Sequence, residues 1–75
     1  MNERIPLAEV IPFDRGQEVV DRYLPGKRFS ALVKRTDGKG VVDILVTKDH
    51  EEYWVETDNQ GCVARLVYVK REDGF

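Results

Sequence analysis

The sequence predicts an α+β fold in which one short helix packs on a four-stranded antiparallel meander sheet. Helical periodicity of apolar residues occurs in one segment, about residues 15–24. After Gly26 the chain divides into four β-rich runs separated by turns of four or five residues. Because such short connections favour antiparallel neighbours, we expect the strands to pair in chain order. A small SH3-like β-barrel, formed if the sheet closes, is the alternative fold.

The 75 residues predict a single domain that spans residues 1–75. Apolar residues make up 41% and charged residues 35%, which is typical of a folded chain. A chain of this size buries roughly 60% of its unfolded surface. That burial supports one modest core and no deep catalytic cavity.

The N-terminal segment, residues 1–13, is expected to pack on the body of the domain. Its stretch "ERIPLAEVIPF" is rich in apolar residues, which disfavours a free tail. Pro6 can begin a helical turn, where a missing N–H is harmless, or lie in an extended edge segment. Both conformations stay open at this point.

The predicted helix has signals at both ends. Asp14 can cap its N-terminus, with Gln17 three residues later as the second half of a capping box. Leu24 precedes Pro25 and is therefore biased away from helix, and Gly26 can adopt a positive φ. The apolar residues at helical spacing are Val19, Val20, Tyr23 and Leu24.

The four predicted strands cover about residues 28–35, 41–47, 53–57 and 62–70. The "TDGKG" turn between the first two contains the Asp-Gly pair typical of hairpins. The polar tail, residues 71–75, is expected to fray.

Symmetrical turns would assign the strand residues to two faces. The face under the helix would contain Phe29, Ala31, Val33, Val41, Leu45, Tyr53, Val55, Ala64, Leu66 and Tyr68. Asp43 would fall on this same face. It would lie near the edge of the face, and a carboxylate there is a warning sign for a β-bulge that shifts the register.

The second face is the main functional candidate. Its apolar residues are Leu32, Val42, Ile44, Val46, Trp54, Val63, Val67 and Val69, and the first seven are assigned to the interaction surface. A sheet face left in water should be mostly polar, and this one is not. Three explanations stay open: the N-terminal segment covers it, the sheet closes into a barrel, or it is an interface with a second copy or another protein.

We therefore expect a small non-enzymatic binding or regulatory module that uses this face for homodimerisation or for binding another protein. Trp54 is the only tryptophan, and large aromatic side chains with aliphatic neighbours often anchor such contacts. The alternative is a nucleic-acid-binding domain, in which a basic arm works together with aromatic side chains of the sheet. The basic arm consists of Lys27, Arg28, Lys34, Arg35 and Lys39. Six acids between residues 41 and 61 and a pI near 5.3 oppose that alternative.

No arrangement of residues indicates catalysis, a metal or a cofactor. In "HEEYW", residues 50–54, neighbouring side chains match no metal-ligand spacing, so His50 is expected in a solvated turn. Cys62 would need a histidine base and is expected instead as a small buried residue. The first residues match no signal peptide and no apolar run is long enough for a membrane span, so we expect no membrane partner. A single cysteine is typical of a reducing compartment, and we expect the cytoplasm.

Overall fold

The computed structural model describes residues 4–11 and 15–72 and confirms the α+β fold with a meander sheet. A 3₁₀ turn at Leu7–Glu9 precedes helix α1, Gly16–Tyr23. The four strands are β1 Phe29–Asp37, β2 Gly40–Thr47, β3 Glu51–Thr57 and β4 Val63–Arg71. They pair in the order β1-β2-β3-β4, so the sheet is open and the barrel alternative is wrong. Of the tail expected to fray, residues 73–75 lie outside the described residues, and the N–H of Glu72 donates to the carbonyl of His50 at 2.8 Å.

Helix α1 is attached to the start of β1 by Gln17. The carboxamide of Gln17 accepts a hydrogen bond from the N–H of Phe29 at 2.8 Å and donates to the carbonyl of Lys27 at 3.2 Å. Gln17 therefore bridges two elements, while Asp14, its expected capping partner, lies outside the described residues. Gly26, at φ 91°, adopts the left-handed conformation that ends the helical region.

Three β-bulges set the register of the sheet, and all three lie on the outer strands. The register shifts leave Ser30 of β1, and Ala64 and Val69 of β4, without a partner of their own. The Ser30 and Ala64 bulges overturn four of the face assignments made above. Leu32 and Val63, expected on the second face, lie on the face under the helix and pack in the core. In the same way Ala31 and Val33, expected under the helix, lie on the second face, because one extra residue exchanges the faces of all residues beyond it.

The core lies between α1, the N-terminal segment and one face of the sheet, which we call the covered face. Its buried apolar residues are Ile5, Val10, Val19, Val20, Leu45, Tyr53, Val55 and Val63. Asp43 stays on this face but pairs there with Lys34, whose Nζ lies 2.9 Å from Oδ1. The Ser30 bulge brings Lys34 to this position and so satisfies the carboxylate.

The described part of the N-terminal segment, residues 4–11, lies on the covered side of the sheet. The carbonyl of Ile5 accepts from the N–H of Val63 at 2.8 Å, and the N–H of Leu7 donates to Gly61 at 2.9 Å. The segment is thus extended along the start of β4 and then turns into the 3₁₀ turn. Residues 1–3 and 12–13 of the segment lie outside the described residues. The residues that are described do not cover the second face, which we call the open face.

Candidate protein-interaction face

One apolar residue from each strand forms a continuous row across the middle of the open face. Val33 is opposite Ile44, Ile44 is opposite Trp54, and Trp54 is opposite Val67. We call these four residues the apolar band. Neighbouring strands lie about 4.8 Å apart, so the band is about 14 Å long between its terminal Cα atoms.

The residues on either side of the band are mixed in character. The first flanking row contains Arg35, Val42, Glu56 and Arg65, and the second contains Ala31, Val46, Glu52 and Lys70. Of the seven residues assigned to this face from the sequence, five lie here, and Leu32 and Val63 do not. The sequence reasoning missed Ala31 and Val33, for which Asp43 on an otherwise apolar face was the one available signal.

An ion pair extends over the band. The Nη1 and Nη2 atoms of Arg35 donate to Oε1 and Oε2 of Glu52 at 2.8 and 2.9 Å. These residues belong to β1 and β3 and to opposite flanking rows, so their side chains meet over Ile44 of β2. The contact explains why Ile44 is only 6% exposed although no described backbone element lies above it.

Trp54 is the most accessible apolar group of the band, with 46% of its surface exposed. Its neighbours Val33 and Val67 are half-buried. Beside it, Arg65 of β4 donates from Nε to Oε1 of Glu56 at 2.6 Å, which closes one border with a second ion pair. The face therefore presents an aromatic centre between aliphatic neighbours, with charged groups at its borders.

The basic arm does not form one free cationic surface. Lys27 lies 2.7 Å from Asp49 and 2.9 Å from Glu51, and Lys34 and Arg35 have carboxylate partners as described above. Lys34 and Arg35 also point to opposite faces of β1. Arg28 is exposed beside Lys48, whose N–H donates to the carbonyl of Arg28 at 2.9 Å. Lys39 is exposed in the β1–β2 turn and has a partner of its own.

The acids next to His50 form a hydrogen-bonded cluster with Lys27, Thr47 and Tyr53, which we call the Lys27 tie. Hydrogen bonding to Lys27, and then to Thr47, lowers the pKa of Asp49 to about 2. The pKa of Glu51 is lowered by Lys27 and by the Tyr53 hydroxyl, which donates to it at 2.8 Å. Burial, followed by this hydrogen bond to Glu51, raises the pKa of Tyr53 to about 12. Each shift moves the pKa of the group further from 7. These residues therefore hold the turn and are poorly suited to exchange protons near pH 7.

The hydrogen bonds and ion pairs of this tie do not involve the side chains of His50 and Cys62. His50 is exposed and has a φ of 68° in the β2–β3 connection. Cys62 is a buried free thiol, and its backbone N–H donates to Oδ1 of Asp58 at 3.0 Å.

Across residues 4–11 and 15–72, no group of three or more His, Cys, Asp or Glu side chains is placed to hold a metal ion. Within the same ranges, no helix has the length and apolar character needed to cross a bilayer. Comparisons of the chain with protein-family models, with curated proteins and with solved structures found no match.

Proposed function

We propose that this chain is a small non-enzymatic module that binds protein through the open face of its sheet. The observation that carries the proposal is the apolar band, which crosses all four strands and has a half-exposed tryptophan near its centre. A sheet face that stays in contact with water normally carries polar residues, including in its central row. Contiguous apolar surface that includes an exposed aromatic side chain supports the assignment of a contact site.

The energetics of the band favour a protein partner. Apolar surface contributes about 25 cal/mol per Å² when it is removed from water, and a tryptophan provides the largest such area of any side chain. The two ion pairs beside Trp54 keep their charges satisfied, so a partner does not have to provide counter-charges for them. Charged borders of this kind set the orientation of a partner more than its affinity.

The outer strands of the sheet also favour association through the open face rather than through an edge. A regular outer strand can recruit another strand through its free backbone groups. In this chain β1 has one bulge and β4 has two, and bulges interrupt such edge pairing. Association through the face is therefore favoured over association through an edge.

The nucleic-acid alternative has less support, because three of the five residues of the basic arm already have carboxylate partners. The proposal includes a cytoplasmic setting, for which the buried free thiol of Cys62 is suitable.

The test compares Trp54→Lys with Tyr68→Lys, because both aromatic residues are about half exposed but lie on opposite faces. Each variant is first checked for the native circular dichroism spectrum. Sedimentation velocity of the purified chain and co-purification from the native host then report association with itself and with other proteins. We expect an association that is present in the wild type and Tyr68→Lys and lost in Trp54→Lys. Identical masses and identical co-purified proteins for all three chains would contradict the proposed function.

A further inference from the structure

A small cavity lies at the end of the sheet, where the α1–β1 connection meets the β2–β3 connection. Its volume is about 170 Å³, and its walls are formed by Gly26, Lys27, Arg28, Lys48 and Asp49. The backbone joins its two sides, because the N–H of Lys48 donates to the carbonyl of Arg28 at 2.9 Å. Three of the five lining residues are cationic, so the cavity is a candidate site for an anion.

Arg28 and Lys48 differ from the other cations of the chain in having no partner. Within residues 4–11 and 15–72, ten of the twelve lysine and arginine residues interact with another group, most of them with a carboxylate. Arg28 and Lys48 are the remaining two, and both are exposed. They are also neighbours across the ends of β1 and β2, where like charges opposite each other are unfavourable. An anion bound between them would remove this repulsion.

The one acid of the cavity does not cancel these two charges, because Lys27 already neutralises it. Nζ of Lys27 lies 2.7 Å from Oδ2 of Asp49, and the hydroxyl of Thr47 donates to the same carboxylate. Glu51, which also binds Lys27 at 2.9 Å, is not among the residues that line the cavity. The lining residues therefore carry three positive charges and one negative charge, a net charge of +2.

We propose that this cavity binds a phosphomonoester group, with Arg28 and Lys48 as the residues that hold it. The guanidinium of Arg28 can donate two parallel N–H bonds to two phosphate oxygens, and the ammonium of Lys48 adds a point charge. A phosphomonoester carries a charge of about −1.5 to −2 near pH 7, which matches two unpaired cations. A carboxylate or a phosphodiester carries a single charge and leaves one cation unmatched.

The size of the cavity agrees with this ligand. Pockets that enclose a whole small molecule have volumes of roughly 300–1,000 Å³, so a smaller cavity accepts the phosphate group and leaves the rest of the ligand outside. None of the lining residues belongs to the apolar band or to its flanking rows. The site therefore does not rest on the proposed function, and either can fail without the other.

The first test titrates the wild-type chain at low ionic strength near pH 7 and follows its backbone amides by ¹H–¹⁵N NMR. The probes are methyl phosphate, a phosphomonoester, and dimethyl phosphate, which has the phosphodiester chemistry of a nucleic-acid backbone. We expect saturable shifts centred on Lys27, Arg28 and Lys48 with methyl phosphate, and binding at least about tenfold weaker for dimethyl phosphate, which has less charge to share with the two cations. Equal affinities for the two esters, or no saturable shift at these residues, would overturn the proposal.

A phosphoserine tripeptide, used as a third probe, distinguishes two sources of the same group. Tighter binding of the tripeptide than of methyl phosphate would support the site and assign the group to a phosphorylated protein. Equal affinities for these two monoesters would support the site and assign the group to a small phosphorylated molecule.

A matched pair of double variants tests the assignment of the residues. Arg28→Gln/Lys48→Gln removes the two unpaired cations, and Lys34→Gln/Arg65→Gln removes one lysine and one arginine that have carboxylate partners. Both variants lose two positive charges at exposed positions, and each is first checked for the native circular dichroism spectrum.

We expect the affinity for methyl phosphate to fall at least about tenfold in the first variant, which loses its charged hydrogen bonds, and less than about twofold in the second. Equal weakening in the two variants would overturn the proposal, because the attraction would then follow from the overall charge of the chain. The titration of the wild-type chain tests the site even if a variant does not fold.

Discussion

The two faces of the sheet are both apolar but are protected from water in different ways. The centre of the covered face is shielded by backbone elements, namely α1 and the N-terminal segment, and Leu45 there is 1% exposed, whereas Val41 and Tyr68 on the same face are 64% and 54% exposed. The open face is shielded in part by one ion pair, which extends over Ile44 and leaves Trp54 half exposed. A covering helix is permanent in the folded state, whereas long side chains can move aside. The covered face therefore stabilises the monomer, and the open face remains available for a partner.

The largest difference between the faces should appear when neighbouring residues of β2 are truncated. Leu45→Ala is expected to lower the free energy of unfolding by about 2–5 kcal/mol, because the fixed helix above it cannot fill the cavity. Ile44→Ala should cost the monomer about 2 kcal/mol, the lower end of the same range, because the overlying ion pair can settle into the space. Urea denaturation at low micromolar concentration measures both. Equal losses would show that the ion pair protects the sheet as rigidly as the helix does.

The closeness of the helix to the covered face can be tested at Gly16. A Cβ atom there would lie 2.5 Å from two carbon atoms of the Phe29 ring. Gly16→Ala should therefore destabilise the chain by about 1–3 kcal/mol through overpacking, although alanine normally favours a helix by about 1 kcal/mol. Gly38→Ala is the matched control, because its Cβ would meet no atom within 4 Å. Thermal denaturation that ranks the two variants equally would contradict the close docking of α1 on β1.

The ion pair of the open face can be compared with the ion pair on the covered side of the same strand. Arg35→Met leaves the carboxylate of Glu52, which is 4% exposed, without its two charged hydrogen bonds. We expect a loss of about 1–2 kcal/mol in the free energy of unfolding. Lys34→Met removes an exposed pair with Asp43 and should cost less than about 1 kcal/mol. Urea denaturation in which Lys34→Met is the more damaging would contradict the role assigned to Arg35.

The smallest expected effect concerns the Lys27 tie at the end of the sheet. The pKa of Asp49 is about 2 in the folded chain, against an ordinary value of 3.8. A lowered folded-state pKa adds stability above the unfolded value, and that stability is lost as the pH falls from about 4 towards 2. Asp49→Asn should flatten this part of the curve of melting temperature against pH, and Lys27→Met should do the same. An unchanged acid limb in both variants would show that the tie does not contribute to stability.

The elements of the fold were predictable from the sequence because their signals are local. The helical spacing of Val19 and Val20 and the Asp-Gly turn each act within a few residues, and both gave the correct element. The bulges at Ser30 and Ala64 were not predictable in this way. Neither residue has a conformational preference that identifies a bulge, and the register follows from pairing across the whole sheet.

The candidate site was therefore predicted only in part. Trp54 and Ile44 were assigned to the correct face because β2 and β3 have no bulge. Leu32 and Val63 were assigned to the wrong face, because each follows or precedes an extra residue on an outer strand. The ion pair of Arg35 with Glu52 joins residues that are 17 positions apart on non-adjacent strands, which no local pattern reveals.

The most direct test of the central claim uses Trp54 as its own reporter, because it is the only tryptophan of the chain. Quenching of its fluorescence by acrylamide is measured in the wild-type chain from low micromolar to submillimolar concentration. If the open face binds protein, quenching should weaken and the emission maximum should shift to shorter wavelength as the chain concentration rises, or when proteins that co-purify with the chain are added and their own fluorescence is subtracted. Quenching and emission that stay constant in both experiments would contradict the claim that the apolar band binds protein.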